Sequence, residues 1–344
     1  MAPIPSTAVL LRRRPEGEPR PDDFEIVQRP CPAPADGQVR LAVLWLSLDP
    51  YMRGRMSEGR SYATPLSLGD VMGGQAVCRV EASRHFDWTV GTLVLAPTGW
   101  CSMALSDGTG LVRLDPAPHP VTAALGVLGM PGLTAYAGLA EIGKPKPGET
   151  VVVAAATGPV GSAVGQIAKQ RGCRAVGIAG GAEKCRLLTE YFGFDAAIDH
   201  RAPDFADRLS AACPKGIDVY FENVGGAVWE AVLPLLNEFA RVPVCGLVAQ
   251  YNATSLPAGP NRVPEVMRAV LSRRLDIRGF IVWDFAHQEP AFRREVGGWL
   301  ASGQIKALEH RVDGLEKAPA ALVDMLAGRN TGKVVVKVAR DAPD

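Results

Sequence analysis

Between residues 151 and 162 the chain reads Val-Val-Val-Ala-Ala-Ala-Thr-Gly-Pro-Val-Gly-Ser. The apolar run lacks alternation, as a strand buried on both faces requires. It enters an A-x-G-x-x-G turn, with Ala156 at the first glycine position of the dinucleotide fingerprint. In such a turn Gly158 lets the backbone approach a pyrophosphate and Gly161 lets the next helix pack close to the strand. The helix start then aims unsatisfied N–H groups and a partial positive charge at the phosphates. A bare glycine pattern says little, because close packing alone can select it. Here a strand precedes it, a helix over Gly161–Arg171 follows and stops at Gly172, and a second strand is expected over Arg174–Ala179.

The end of that second strand chooses between the two nicotinamide dinucleotides. A site for NAD usually places Asp or Glu there, about 20 residues on, against the ribose 2′-hydroxyl. This chain has Ala179-Gly180-Gly181, with Lys184 within the next turn. No carboxylate repels a 2′-phosphate, and an ammonium stands near as a point charge, so NADPH is the expected cofactor. Lys184 could equally be a solvated helix residue.

Nothing in the spacing supplies a metal. The five histidines (85, 119, 200, 287, 310) show no H-x-x-x-H pair, and the seven cysteines show no C-x-x-C. Carbonyl polarisation would then fall to hydroxyl donors or to the cofactor. Tyr51 and Tyr62 flank an Arg/Gly/Ser-rich loop, while Asn223 and Tyr251 follow strand-like runs, at the end where open α/β sheets bind ligands. Each tyrosine could instead be a packing residue with a satisfied hydroxyl. His200 lies just after the third strand, where a cofactor adenosine would rest.

Two kinds of element must position these groups. Before residue 120, short β-rich runs (Val39–Leu44, Gln75–Glu81, Thr92–Ala96, Gly110–Leu114) alternate with turn signals, as in a partly open barrel. From about 150, strand-like runs at 151–156, 174–179, 196–199, 217–222, 241–247 and 277–282 alternate with helical segments such as Ala182–Tyr191 and Asp204–Ala212. That rhythm predicts a doubly wound parallel sheet. The segment Gly332–Val338 alternates and reads as a half-exposed strand. The layout expected is an α/β Rossmann unit inserted into a β-rich domain built from both chain ends.

Over 344 residues, 47% are hydrophobic and 21% charged, enough for a sizeable core. Lys+Arg 37 against Asp+Glu 36 leaves a formal charge of +1, so neither nucleic acid nor an anionic membrane is the expected partner. No run approaches the ~20 apolar residues of a membrane span. Arg12, Arg13 and Arg14 follow the short apolar run Ala8–Leu11, the wrong order for a secretory signal. Seven cysteines, an odd number, fit reduced thiols in a cytoplasmic protein.

Taken together, the segments Ser47–Met56, Gly129–Tyr136, the glycine turn, Tyr220–Gly226, Cys245–Asn252 and Gly328–Lys333 resemble the zinc-independent medium-chain dehydrogenase/reductases. The likeness is to the group of prostaglandin reductases, leukotriene B4 12-hydroxydehydrogenases, plant double-bond reductases and bacterial curcumin reductases. The segments span nearly the whole chain in family order. The resemblance implies a GroES-like substrate domain over 1–124 plus 306–344 and a Rossmann domain over 125–305. It implies that Gly158, Pro159, Val160, Gly161 and Ser162 hold the pyrophosphate, and that Gly181, Lys184 and His200 surround the adenosine side, Lys184 at the 2′-phosphate. Asn223, Cys245, Gly246 and Tyr251 would line the ribose and nicotinamide. Phe280, Ile281, Val282 and Asn330 would complete the cofactor site, and Met130 and Thr134 would approach the nicotinamide. His200 stands where the family often has tyrosine. Where zinc alcohol dehydrogenases carry a Gly-His-Glu ligand segment, this chain reads Gly69-Asp70-Val71-Met72-Gly73-Gly74.

The implied reaction is reduction of the C=C bond of an α,β-unsaturated ketone or aldehyde, curcumin- or 15-oxoprostaglandin-like, with Tyr51, Tyr62 and Tyr251 as candidate catalytic hydroxyls. A quinone reductase of the same superfamily and a non-catalytic NADPH-binding protein are the alternatives. The loops Gly54–Leu68 and Tyr251–Pro264 would shape the pocket. A homodimer is expected, through the apolar strand at Ile277–Val282.

Overall fold

In the computed structural model, which describes residues 2–59, 61–115 and 118–343, the chain divides into two packed units. One comprises Met1–Leu125 with Glu309–Asp344, the other Gly126–Leu308. Arg60, inside the pocket-shaping loop 54–68, lies outside the described residues, as do Met1, Pro116, Ala117 and Asp344.

The first unit carries strands β1 (Ile4–Leu11), β2 (Phe24–Cys31), β3 (Val39–Ser47), β4 (Ala76–Ser83), β5 (Leu93–Ala96), β6 (Met103–Ser106) and β7 (Val112–Arg113). The second carries β8 (Thr150–Ala154), β9 (Arg174–Ala179), β10 (Ala196–Asp199), β11 (Ile217–Phe221), β12 (Leu236–Val244) and β13 (Asp276–Gly279). The chain then returns to the first unit with β14 (Glu309–Asp313) and β15 (Lys333–Lys337).

In the β-rich unit the sheet order is β14-β15-β3-β4-β5-β7, with β6 also on β3 and β1-β2 as a separate ladder. The free edge of β1 is closed by backbone bonds from Val9 to Trp100, from Leu11 to Asp70 and from Met72 to Val9. This is the partly closed, GroES-like β architecture expected. The reading of Gly332–Val338 as half-exposed is corrected. Val334, Val335 and Val336 are all buried, because the two faces of β15 pack into different clusters: Val334 and Val336 beside Leu46 and Met52, Val335 beside Leu44 and Trp45.

The α/β unit is a wholly parallel six-stranded sheet of order β10-β9-β8-β11-β12-β13. Its central strand β8 is buried throughout, which explains the missing alternation. The first strand sits in the middle and the order reverses between β8 and β11. Ligands of such sheets bind at that reversal, beyond the carboxyl ends of the strands. Two predicted strands end earlier than expected: β12 at Val244 rather than 247, β13 at Gly279 rather than 282. β12 also begins five residues sooner. Phe239 takes a left-handed φ of 59° at a register shift against β11, and this bulge hides the strand's alternation.

Candidate functional site

β8 ends at Ala154, and Ala155 turns the chain at a left-handed φ of 51°. Helix α3 (Pro159–Gln170) starts directly after Gly158, with Pro159 at its first position and no side chain capping it. Pro159 has no N–H and that of Ser162 donates to the Gly158 carbonyl, so the N–H groups of Val160 and Gly161 are the ones left for an external acceptor. A Cβ on Gly161 would lie 2.5 Å from the Ala155 carbonyl and 2.7 Å from the Ala156 Cα, so glycine alone permits this strand-to-helix approach. These features fit a pyrophosphate.

Across the reversal point, Asn223 follows β11. Its Nδ2 donates to the Ala154 carbonyl at 2.9 Å, bracing the strand end that launches the glycine turn. Its own backbone is held from beneath by Glu222. That buried carboxylate accepts from the Tyr220 hydroxyl at 2.9 Å and from the N–H groups of Val224 and Gly225 at 2.7 and 2.9 Å. Burial pushes the Glu222 carboxyl above its usual range, while these donors oppose the shift. The Glu222 carbonyl also accepts from Cys245 and Gly246. Burial and nearby Glu222 push the Cys245 thiol up to about 12, which keeps it a neutral wall. Tyr251 follows a short 3₁₀ turn (Val248–Gln250) and folds back, its hydroxyl 3.0 Å from where a Gly246 Cβ would be.

The second corner lies between β9 and helix α4 (Ala182–Glu190). Gly181 occupies φ 98° and Lys184 stands in the first turn. The register of β10 on β9, with Asp199 opposite Ala179, brings His200 and Arg201 to the same place. A Cβ on Gly180 would meet Arg201 Nε at 2.8 Å and His200 Nε2 at 2.9 Å. One Asp199 oxygen accepts from the backbone of Gly181 at 2.8 Å and of Arg201 at 2.9 Å, clamping the two loops together. Burial and Arg201 hold the Lys184 ammonium below its ordinary range. Burial and Arg201 likewise depress His200, with Lys184 adding to the effect and Asp199 opposing it. Cations crowded this closely favour an anion among them. Sequence reasoning missed Arg201, although its position one residue past His200 was the available signal.

Other expected residues have part of their chemistry already committed. In helix α2 (Met130–Gly138) the Thr134 hydroxyl donates to the Met130 carbonyl at 2.7 Å. The Phe280 ring is core, edge-on to Phe221 at 6.1 Å and pressed against Gly138, so the 280–282 segment has chiefly backbone to offer a ligand. In the β-rich unit Asn330 donates to the Gly332 carbonyl at 2.9 Å. There, too, helix α1 (Tyr51–Arg55) places Tyr51 close enough to Tyr62 for their charges to interact, and half-exposed Tyr62 completes the pair. Burial and the Asp49 carboxylate push the Tyr51 phenol well above its ordinary value, so it remains a donor.

Among the described residues no group of three His, Cys, Asp or Glu side chains could hold a metal ion. Asp70, in the segment that replaces the zinc-ligand motif, accepts instead from the Ser67 N–H at 2.9 Å.

The chain belongs to the medium-chain dehydrogenase/reductase family. Residues 7–114 match the family described as N-terminal domain of oxidoreductase, and residues 159–296 match zinc-binding dehydrogenase. It is 54% identical over 333 residues to NADPH-dependent curcumin reductase of Escherichia coli (strain K12), covering 96% of both chains. It is 40% identical to prostaglandin reductase 1 of Bos taurus, covering 95% of this chain and 97% of the relative. The crystal structure of CurA in complex with NADPH from Vibrio vulnificus superposes with a TM-score of 0.95 at 51% identity, covering 97% and 99%.

Proposed function

We propose that this chain is an NADPH-dependent reductase of the C=C bond of α,β-unsaturated ketones and aldehydes. The observation that carries the cofactor is the second corner, where β9 ends without an acid, His200 and Arg201 meet at Gly180, and Lys184 stands in the first turn of α4. The relatives' reactions carry the substrate class. Bound NADPH supplies a hydride for the β-carbon.

The protein's part is to hold and polarise. The uncapped start of α3, from Gly158 through Ser162, receives the pyrophosphate, and Lys184 and Arg201 receive the 2′-phosphate. Asn223, the Cys245–Tyr251 loop and the backbone of 280–282 frame the ribose and nicotinamide, with Met130 and Thr134 completing the frame. As hydride arrives, negative charge gathers on the substrate's carbonyl oxygen. Tyrosine hydroxyls, Tyr51 first, with Tyr62 and Tyr251 as the other candidates, donate to it. A proton from solvent or a tyrosine then completes the α-carbon.

The functional unit is a homodimer in the cytoplasm. Strand β13 ends the sheet order with one edge unpaired among the described strands, and the helix preceding it in the chain, Val263–Arg273, exposes Val263, Met267 and Leu271. That edge is what a second copy would extend.

The test follows NADPH oxidation with an alkenal, an enone, a quinone and a simple ketone. Turnover of the alkenal and enone is expected. Turnover of the ketone alone overturns conjugate reduction.

A further inference from the structure

Lys333 is a buried lysine with 3% side-chain exposure, and its partner Asp49 has 6%. Burying two charges is expensive, and well-packed apolar residues often serve stability as well or better. Such a pair therefore calls for a reason besides stability. Lys333 Nζ donates to Asp49 Oδ1 at 2.7 Å and to the Leu48 carbonyl at 2.5 Å. The Ser47 hydroxyl donates to the other carboxylate oxygen, so Asp49 is gripped on both sides.

Immediately after this grip the chain turns into α1. The Asp49 carbonyl accepts from Met52 at 3.1 Å and that of Pro50 from Arg53 at 3.1 Å. The helix's far side is bolted by buried Arg53, which donates to the Gly17 carbonyl at 2.9 Å and to Ser57 at 2.7 Å. Tyr51 is the first residue of that helix, two positions from Asp49. A five-residue helix has too little cooperativity to hold its own geometry. Its start must be set from outside, and Lys333 comes from β15, which pairs with β3 at Val335 opposite Ser47.

We propose that the Ser47–Asp49–Lys333 cluster is the positioning element for the Tyr51 hydroxyl, fixing the start of α1 so that the phenol meets the enone oxygen. The Asp49 charge also pushes the phenol up, which keeps its proton in place for donation. This inference rests on the reading of Tyr51 as a donor.

The experiment measures kcat, the KM for NADPH and the thermal midpoint of the full chain on an enone, for Ser47→Ala and for the paired Asp49→Leu/Lys333→Met, each with and without Tyr51→Phe. Tyr51→Phe should lower kcat by about 10²-fold, the scale of a lost oxyanion donor. The paired replacement and Ser47→Ala should each lower kcat by roughly tenfold, a misplacement effect. The KM for NADPH should stay unchanged, and in the Tyr51→Phe background neither should cost anything more. Equal losses in both backgrounds, or full kcat with the cluster removed, overturn the proposal while leaving Tyr51 a donor. A silent Tyr51→Phe overturns the donor reading itself and the cluster's role with it. If the paired variant does not fold, Ser47→Ala decides by the same criteria.

Discussion

Asn223 Nδ2 sits 2.9 Å from the carbonyl of Ala154 and joins the ends of β11 and β8, the two strands between which the sheet order reverses. The bond fixes the last strand carbonyl before the glycine turn, so the residue proposed to frame the ribose also steadies the turn proposed to hold the pyrophosphate. Asn223→Ala should weaken NADPH binding by about tenfold or more, as the loss of a hydrogen bond of ~1–1.5 kcal/mol compounded by loop movement. Titration of the NADPH fluorescence change checks it. Unchanged affinity would separate the bond from cofactor binding.

The cation pair at the second corner should divide the two cofactors. Lys184→Ala and Arg201→Ala should each raise the KM for NADPH by roughly 10–100-fold, the range for hydrogen bonds to a charged group. Kinetics with NADH should barely move. Equal effects on both cofactors would remove these side chains from the 2′-phosphate.

His200 gives the corner a pH signature. Its folded value is depressed below the 6.5 of free imidazole by burial and Arg201. The unfolded chain therefore binds more protons as pH falls past 6.5, and stability decreases with acid through that window. The penalty is absent above 6.5 and complete below the folded value. His200→Gln should flatten the fall in thermal midpoint. A bound 2′-phosphate should raise the imidazole again, so NADP⁺ binding should take up more protons in the native protein than in His200→Gln, with no such difference for NAD⁺. Calorimetry in two buffers of different ionisation enthalpy reads this, and equal uptake by the two proteins would place His200 away from the phosphate.

At the glycine turn the steric limits are explicit. Gly161→Ala puts a methyl 2.5 Å from the Ala155 carbonyl, so α3 must shift. A loss of about 1–3 kcal/mol of stability and most NADPH affinity is expected. Gly246→Ala crowds the Tyr251 hydroxyl at 3.0 Å and meets the Asn223 carbonyl at an ordinary 3.5 Å, so it should spare stability and move kinetics instead. Denaturant melts together with steady-state kinetics distinguish the two outcomes.

The open edge of β13 predicts the assembly. Ile277→Asp with Leu271→Glu, both on exposed positions, should convert a dimer to a monomer without unfolding it. Sedimentation is the measurement. A wild-type monomer at micromolar concentration would end this reading.

The sequence by itself determined whatever is local. The glycine turn is legible because strand, turn and helix start lie within a dozen consecutive residues, each constrained by its neighbours' sterics. The parallel sheet is legible because strands covered on both faces must be continuously apolar. What the sequence hid depends on pairing between distant segments. Arg201 reaches Gly180 only because β10 lies beside β9 with Asp199 opposite Ala179, a register that no property of residues 196–201 alone dictates. The burial of β15 on both faces and the meeting of Lys333 with Asp49 likewise follow from β15 lying against β3, across 284 positions of chain. Side-chain pattern reports which face of a strand is apolar, and only the packed sheet decides what covers the other.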